Sequence, residues 1–310
     1  MIANRAGALP AKLLDGQGLI SASTKLYAVL GDPVGHSLSP LIHNCFAKAL
    51  GHDLVYTAFR VSPYNLEAAI KGAWGLGVAG FNITVPHKRN VMPMCARIDK
   101  QARTIGAVNT LKYADDGYVG YNTDWIGIIS TLRDAGHDMR GKSVMILGAG
   151  GSAYAACVAA CESGASRVTV ANRTMSHAER LREHILCSYS TSIDLVELRN
   201  ANDVSHKEVV IQTTTAGFGV QASLCPVASR DFFSGVSVAL DLIYSPWETV
   251  FLKWAAQSGV CAINGFPDLV WQAAASYEIW NGEINDRNYI KKAIINVSET
   301  INSEGGLPNV

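Results

Sequence analysis

The most constraining feature of the sequence is the segment 143–174, SVMILGAGGSAYAACVAACESGASRVTVANRT. An apolar run is followed by a glycine turn, a helical stretch of small residues and a second apolar run, all within about 32 residues. This order predicts a strand–helix–strand unit that opens a new domain. Its glycines permit a tight turn and let a pyrophosphate approach backbone N–H groups at the positive end of the helix. The segment therefore predicts a dinucleotide-binding loop.

The end of the second strand bears on which dinucleotide the loop would take. Units that bind NAD usually carry Asp or Glu about 20 residues past the glycines, where it holds the ribose 2′-hydroxyl. Here the strand ends in Asn172-Arg173-Thr174, without a carboxylate, and the Arg173 guanidinium can pair with a 2′-phosphate. NADP is therefore the predicted cofactor, with NAD as the alternative. The predicted cofactor-binding residues of this unit are Gly148, Ala149, Gly150, Gly151, Ser152, Ala153, Asn172, Arg173 and Thr174.

The rest of the chain alternates short β-branched or aromatic runs with helical patterns, which is typical of largely parallel sheets. Helical periodicity returns from Pro267 onward, after the nucleotide-type unit is complete. We expect an α/β fold of two domains: an N-terminal α/β substrate domain with a mostly parallel sheet, and a Rossmann-like, doubly wound NADP-binding domain. The predicted strands lie at 26–31, 54–61, 78–85, 209–214, 238–244 and 260–265, with a hairpin at 107–124.

The same pattern predicts where the domains begin and end. We expect an extension at 1–24, a substrate-binding catalytic domain at 25–123 and a nucleotide-binding domain at 124–265. The C-terminal helices within 266–310 are expected to pack back on the first domain and complete it. A site between two such domains would lie in the groove that separates them.

Charge and cysteine content exclude several classes of partner. Lys plus Arg equals Asp plus Glu at 26 each, so no net charge attracts a nucleic acid or an acidic membrane surface. No run approaches the roughly 20 apolar residues that span a bilayer. The seven cysteines are an odd number with no C-x-x-C pair, which favours reduced thiols, a cytoplasmic location and no metal site. A small-molecule partner is the expectation, for a monomer or a homodimer.

Six separated segments carry a resemblance to a known family. They are Gly31-x-Pro33-x-x-His36-Ser37-x-Ser39-Pro40, Asn82-Ile-Thr84-Val-Pro86-His-Lys88, Gly106-Ala-Val-Asn109-Thr110, Gly120-Tyr-Asn122-Thr-Asp124, Gly148-x-Gly150-Gly151-x-Ala153 with Asn172-Arg-Thr174, and Asp241-x-x-Tyr244-x-Pro246-x-x-Thr249. In this order they resemble the shikimate dehydrogenase family, and the likeness runs from Leu26 to about Asn302. The resemblance implies reversible, NADPH-dependent reduction of 3-dehydroshikimate to shikimate on the chorismate pathway.

The resemblance also implies roles for individual residues. Hydroxyl groups would bind the substrate carboxylate, and neutral hydroxyls can hold an anion without the desolvation cost of a buried arginine. The matching positions are Ser37, Ser39, Thr84 and Tyr244 for the carboxylate, Lys88, Asn109, Asp124 and Gln272 for the ring hydroxyls, and Gly265 at the nicotinamide end. The Ser39-Pro40 pair is also typical of the N-cap and first residue of a helix.

Lys88 and Asp124 are the predicted catalytic pair. When hydride reaches a carbonyl carbon, negative charge develops on the oxygen, and a nearby ammonium stabilises that charge and can supply the proton. Asp124 would anchor the lysine and accept a hydrogen bond from a ring hydroxyl. Each residue alone has an ordinary structural interpretation, a surface lysine and a helix-capping aspartate, and the pairing with the other motifs favours catalysis.

Departures from the family pattern leave alternatives open. His177 stands where a second basic residue is common, Phe218 where Met is common, and Asp268 within Gly265-Phe-Pro267-Asp268-Leu269, where the family has an apolar pattern. A relative that acts on quinate or aminoshikimate and accepts NAD is one alternative. A catalytically silent NADP(H)-binding sensor on the same fold is another, although both members of the predicted pair are present.

Overall fold

The computed structural model describes residues 20–303 of the chain. The predicted extension at 1–24 therefore lies outside the described residues except for 20–24, as do the last residues of the segment 266–310. Two six-stranded sheets with helices packed on their faces organise the described part. No helix in this part is apolar and long enough to cross a bilayer.

The first sheet contains the N-terminal strands. Their order across the sheet is β2-β1-β3-β5-β6-β4. Strands β1, β2 and β3 are parallel to one another, whereas β5 runs antiparallel to both β3 and β6. The strands are β1 (Lys25–Gly31), β2 (Leu54–Arg60), β3 (Gly80–Ile83), β4 (Arg97–Ile98), β5 (Thr110–Lys112) and β6 (Val119–Tyr121).

The second sheet is parallel throughout, in the order β12-β11-β10-β7-β8-β9. This is the doubly wound order, in which the chain reverses direction across the sheet between β7 and β10. Ligands of such sheets bind at the carboxyl ends of the strands beside that reversal. The strands are β7 (Ser143–Leu147), β8 (Arg167–Asn172), β9 (Ser192–Glu197), β10 (Val209–Gln212), β11 (Val238–Asp241) and β12 (Cys261–Ile263).

Nine α-helices of the described residues connect and cover these strands. They are α1 (Ser39–Leu50), α2 (Leu66–Gly75), α3 (Lys100–Ile105), α4 (Asp124–Asp134), α5 (Gly151–Glu162), α6 (Met175–Leu186), α7 (Val250–Gln257), α8 (Gly265–Asn281) and α9 (Asn288–Ser303). Both faces of the second sheet are covered, which is why the apolar runs of β10 and β11 are buried without alternation.

The helix α8 returns from the second sheet to the first. Trp280 donates its indole N–H to the Leu111 carbonyl on β5, at 2.9 Å, and Ser276 hydrogen-bonds Thr110 on the same strand. Aromatic and aliphatic residues of α8 share a buried cluster with Ile42 and Phe46 of α1 and with α9. These contacts place α8 against β5 of the first sheet. The predicted domain boundaries, and the completion of the first domain by the C-terminal helices, stay a prediction.

Several predicted strands end earlier than the sequence pattern indicated. The runs 78–85, 209–214 and 238–244 leave the ladder after Ile83, Gln212 and Asp241. The residues beyond these points turn into loops at the carboxyl edges of the sheets. The shortening therefore places Thr84 and Tyr244 in loops, where their side chains line a cavity.

The capping role expected for Ser39 is wrong. Helix α1 has Leu38 as its N-cap, with helical backbone angles and no side-chain cap, and Ser39 is the first residue inside the helix. The Ser37 hydroxyl accepts the Ser39 backbone N–H at 3.2 Å, so that N–H is satisfied from outside the helix. The hydroxyl of Ser39 is therefore not used as a cap, and its residue lines the cavity described below.

Candidate active site

The carboxyl ends of three strands of the first sheet place predicted catalytic and substrate-binding residues together. Ser37 follows β1, Lys88 follows β3 and Asp124 follows β6. Asn109 precedes β5, which is antiparallel, so it reaches the same edge from the opposite direction. These four residues, which lie far apart in the sequence, thus meet at one edge of the first sheet.

Lys88 and Asp124 form a direct ion pair. The Lys88 Nζ lies 2.7 Å from Oδ2 of Asp124. The side chains are 31% and 16% exposed, so the pair is partly shielded but still open to a ligand on one side. Asp124 is the first residue of α4, and its own N–H donates to Oδ1 of Asn122 at 2.9 Å. Backbone and side chain of the aspartate are both held in place.

Asn109 is buried beside this pair and is fully engaged by the protein. Its Nδ2 donates to Asp124 Oδ1 at 2.7 Å and to Thr123 Oγ1 at 3.0 Å. Its Oδ1 accepts from the Thr123 N–H and from the Thr110 hydroxyl. The amide therefore orients the Asp124 carboxylate, and its predicted direct contact with substrate stays a prediction.

A hydroxyl on α8 ties these strands to the C-terminal part of the chain. Ser276 is fully buried, and its Oγ lies within 3.1 Å of hydroxyls on Thr110 and Thr123 and 3.0 Å from Nδ2 of Asn82. The Asn82 Oδ1 in turn accepts from the Tyr56 hydroxyl at 2.8 Å. This network fixes α8 relative to the floor of the site. Ser276 was not predicted as a site residue, because it lies more than 150 residues from its hydroxyl partners in the sequence.

A cavity of about 430 Å³ opens next to the ion pair. All but one of the predicted catalytic and substrate-binding residues line it: Ser37, Ser39, Thr84, Lys88, Asn109, Tyr244 and Gln272. Asp124 is not among the described residues that line the cavity; it contacts Lys88, which does line it. Phe218 and Tyr244, from loops that follow strands of the second sheet, close the other side. The cavity thus lies between the two sheets.

The lining suits an anionic ligand rich in hydroxyl groups. Among the described lining residues, Lys88 is the only lysine, arginine, aspartate or glutamate, and the other polar groups are hydroxyls, amides and imidazoles. Burial raises the pKa of the Tyr244 hydroxyl, so it remains a protonated donor at neutral pH. Burial lowers the pKa of His43 to about 3, so that imidazole is uncharged.

The glycine turn of the second sheet has the features that a pyrophosphate requires. Gly148 has a φ of +111°, and a Cβ there would lie 2.6 Å from Thr213 Oγ1, so only glycine fits. Helix α5 begins at Gly151 with no side-chain cap, and no atom lies within 4 Å of an added Cβ at Gly150 or Gly151. Uncapped N–H groups at an open helix N-terminus form an anion site. The residues present therefore fit a dinucleotide.

The remaining residues of the predicted loop divide by burial. Ala149 is half-buried and Ser152 is exposed, whereas Ala153 is fully buried against the sheet core. Ala153 thus serves the close packing of α5. Gly265 begins α8, and its N–H donates to the Ile243 carbonyl at 3.0 Å. Its predicted contact with the cofactor stays a prediction.

Arg173 lines a second cavity, of about 590 Å³, at the carboxyl ends of β8 and β9. Asn172 ends β8 and donates its side-chain N–H to the Thr174 carbonyl at 2.8 Å, which shapes the turn. Arg199, paired with Glu197 at 2.5 Å, lines the same cavity, whereas His177 is exposed on α6 and is not among the described lining residues. Arg199 was not predicted as a cofactor-binding residue, because strand β9, which it follows, was not predicted.

No metal centre accompanies these sites in residues 20–303: no group of three or more His, Cys, Asp or Glu side chains there could hold an ion.

The fold and the two cavities together indicate a class of protein. It is that of the two-domain α/β oxidoreductases, which have a dinucleotide-binding loop on one sheet and a polar small-molecule site on the other. Family models agree with this class. Residues 29–111 match the shikimate dehydrogenase substrate binding domain, and residues 131–220 match shikimate / quinate 5-dehydrogenase. The chain belongs to the shikimate dehydrogenase family.

Individual relatives cover nearly the whole chain. A shikimate dehydrogenase (NADP(+)) of Caldanaerobacter subterraneus subsp. tengcongensis is 38% identical over 275 residues, 89% of this chain and 98% of the relative. The Thermus thermophilus shikimate 5-dehydrogenase, solved with NADP(H) and shikimate, is 30% identical with a TM-score of 0.78, over 88% of this chain and all of that one. A ligand-free 5-ketofructose reductase of Gluconobacter sp. strain CHM43 is 28% identical with a TM-score of 0.78, over 89% and 100%.

These findings confirm the predicted family and fold class. They also confirm, at the level of the family, the predicted enzyme class and the NADP cofactor. The roles of individual site residues stay predictions.

Proposed function

We propose that this protein is an NADP-dependent shikimate dehydrogenase that reversibly reduces 3-dehydroshikimate to shikimate on the pathway to chorismate. The observation that carries the proposal is the Lys88–Asp124 ion pair, 2.7 Å long, at the edge of a cavity lined by hydroxyls and amides. Family membership supports the same activity. The cavity of about 430 Å³ suits a single six-membered ring with one carboxylate and several hydroxyls.

The protein contributes positioning and a proton to this reaction. Bound NADPH supplies the hydride. As the carbonyl carbon accepts it, charge grows on the oxygen, and the Lys88 ammonium stabilises that charge and donates a proton from Nζ. Asp124 holds the lysine in place through Oδ2. In the oxidative direction, Lys88 takes the hydroxyl proton back as hydride leaves the carbon.

The substrate carboxylate would be held by hydroxyl groups that line the cavity. Ser37 and Thr84 come from the loops after β1 and β3, Ser39 is the first residue of α1, and Tyr244 comes from the loop after β11. Hydroxyl donors can satisfy a carboxylate without burying a second cation. Gln272, on α8, offers an amide to the ring hydroxyls.

The cofactor would extend from this cavity across the carboxyl edge of the second sheet. Its pyrophosphate fits the uncapped start of α5, and a 2′-phosphate fits the cavity at Arg173. Arg199 provides a second guanidinium in this cavity. It would take the role of the second basic residue that is common in the family at the position where this chain has His177. NADP is therefore preferred over NAD in this proposal.

The test is the rate at which reduced nicotinamide appears when shikimate, quinate and aminoshikimate are each offered with NADP⁺ and with NAD⁺. We expect shikimate with NADP⁺ to give the highest kcat/KM. A site built on hydroxyl recognition discriminates analogues by about 3 kcal/mol or more, because a poor fit leaves buried polar groups unpaired. Turnover with none of the ring acids, together with NADPH-dependent reduction of 5-ketofructose, would replace the proposed substrate.

A further inference from the structure

A third ionisable side chain is buried beside the catalytic pair. Asp268 lies in the first turn of α8 and is 6% exposed. Helix α4 approaches it so closely that a Cβ on Gly127 would lie 2.6 Å from Asp268 Oδ1. Burying a carboxyl group in this way costs free energy unless hydrogen bonds or an opposite charge compensate for the lost water.

One oxygen of Asp268 is bound to a residue of the substrate cavity. Gln272, one turn further along α8, donates its Nε2 to Asp268 Oδ2 at 3.2 Å. This hydrogen bond holds the Gln272 amide in one orientation, in which Oε1 can accept from a ligand in the cavity and the second N–H of Nε2 can donate to it. The other oxygen of Asp268, Oδ1, is buried and has no hydrogen-bond partner among the described residues.

The same carboxyl group lies in the field of the ion pair. The charged groups that face Asp268 are Asp124, at the start of α4, and Lys88, in the loop after β3. Burial raises the pKa of Asp268 to about 8, the Asp124 carboxylate acts in the same direction, and Lys88 and the Gln272 hydrogen bond oppose the rise. Asp268 is therefore mostly protonated at neutral pH and ionises in the alkaline range.

We infer that Asp268 is a positioning residue: it orients the Gln272 amide toward the substrate, and its carboxyl group is electrostatically coupled to the neighbouring Lys88–Asp124 pair. This inference rests on the proposed function for its kinetic readouts and not for its titration readout.

Two substitutions test the orientation of Gln272. Asp268→Asn removes the charge but keeps an oxygen that can accept from Gln272, whereas Asp268→Leu removes both. We expect the KM for substrate to rise about tenfold in Asp268→Leu, the loss of one buried hydrogen bond, and clearly less in Asp268→Asn. Asp268→Ala repeats the test with a smaller side chain if the leucine variant does not fold.

Two controls test the route of this effect. Glu278→Gln neutralises another acid of α8, one that pairs with Arg287 and is not among the described residues that line the cavity, and should leave the KM for substrate at the parent value. In a Gln272→Ala background, Asp268→Leu should add no further increase in KM, because the group it positions is gone. A purely structural aspartate would change thermal stability while leaving the KM of the parent. A KM in Asp268→Leu equal to that of Asp268→Asn would overturn the inference.

A titration that needs no turnover tests the electrostatic coupling of Asp268 to the ion pair directly. The ¹³C resonance of the Asp268 carboxyl, assigned by its loss in Asp268→Asn, should titrate near pH 8 in the parent protein. Its midpoint should rise in Lys88→Met and fall in Asp124→Asn. Midpoints that do not move in these variants would overturn the coupling to Lys88. If the parent turns over no ring acid, the proposed function fails while this titration still decides the inference.

Discussion

The side-chain amide of Asn109 donates a 2.7 Å hydrogen bond to Oδ1 of Asp124, while Lys88 occupies the other carboxylate oxygen at the same distance. Both oxygens of the aspartate are thereby fixed before any ligand arrives. Since Asn109 is itself held by Thr110 and Thr123, the orientation of the ion pair is set by the β5–β6 hairpin and the first turn of α4. Preorganised groups of this kind stabilise developing charge without rearranging during the reaction.

Removing the Asn109 amide should impair chemistry more than cofactor binding. Asn109→Ala deletes a charge-assisted hydrogen bond of about 1.5–3 kcal/mol and frees the Asp124 carboxylate to rotate. We expect kcat to fall roughly ten- to a hundredfold, with the Kd for NADP⁺ within about twofold of the parent. Steady-state kinetics and fluorescence titration with NADP⁺ measure the two quantities. A Kd that weakens in step with kcat would contradict this assignment.

Arg173 should discriminate between the two cofactors. Arg173→Ala removes a guanidinium that can pair bidentately with a 2′-phosphate, so kcat/KM for NADP⁺ should fall about a hundredfold and that for NAD⁺ only slightly. Arg180→Ala, an exposed arginine of the following helix α6, is the matched control and should change neither value appreciably. Equal losses with NADP⁺ and NAD⁺ in Arg173→Ala would remove the 2′-phosphate from this cavity.

Acid stability should depend on His43. Its ring is buried, stacks on Tyr56 with centroids 4.2 Å apart, and has no hydrogen-bond partner at either nitrogen among the described residues. Because burial lowers its pKa from 6.5 to about 3, the folded state binds fewer protons than the unfolded state between these values. Its contribution is present above pH 6.5 and is lost as the pH falls toward 3.

The change that isolates this effect is His43→Phe, which keeps an aromatic ring against Tyr56 and removes the titrating group. Urea denaturation from about pH 7 to about pH 4 should show the parent losing stability relative to the variant, by up to roughly 5 kcal/mol if the whole window were reached. Both proteins contain the same other titrating groups, including Asp241, whose pKa burial raises to about 6. The contributions of these groups to the pH dependence of stability therefore cancel in the difference between the two proteins. Parallel curves for the two proteins would mean that His43 does not titrate on unfolding.

Most of the fold was accessible from sequence because its strands are short apolar runs separated by turn signals. The glycine turn before α5 and the buried strands β7, β10 and β11 are strong signals of this kind. Strand β9 was missed because it is partly exposed and alternates, with Ile193 buried between exposed Ser192 and Asp194. Strand β4 has two residues, too few for any periodic pattern.

The site was accessible only in part, for a different reason. The resemblance to the family implied that Ser37, Lys88 and Asp124 belong to one site, whereas no local pattern in the sequence brings them together. The sequence also marked Asp268 as unusual, but its burial depends on how closely α4 packs on α8 at Gly127. Long-range hydrogen bonds such as those of Ser276 are likewise set by tertiary packing and leave no local pattern.

The most direct test of the account is the effect of Lys88→Ala on turnover and on cofactor affinity. Lys88 lines the substrate cavity and is bound to Asp124, so its ammonium should act on the substrate oxygen and not on the dinucleotide. The account predicts that kcat for shikimate oxidation falls roughly 10²-fold or more, with the Kd for NADP⁺ unchanged and the exposed-lysine control Lys71→Ala at parent activity. A Lys88→Ala protein that retains kcat within a fewfold of the parent, or that loses NADP⁺ affinity in proportion to kcat, would contradict it.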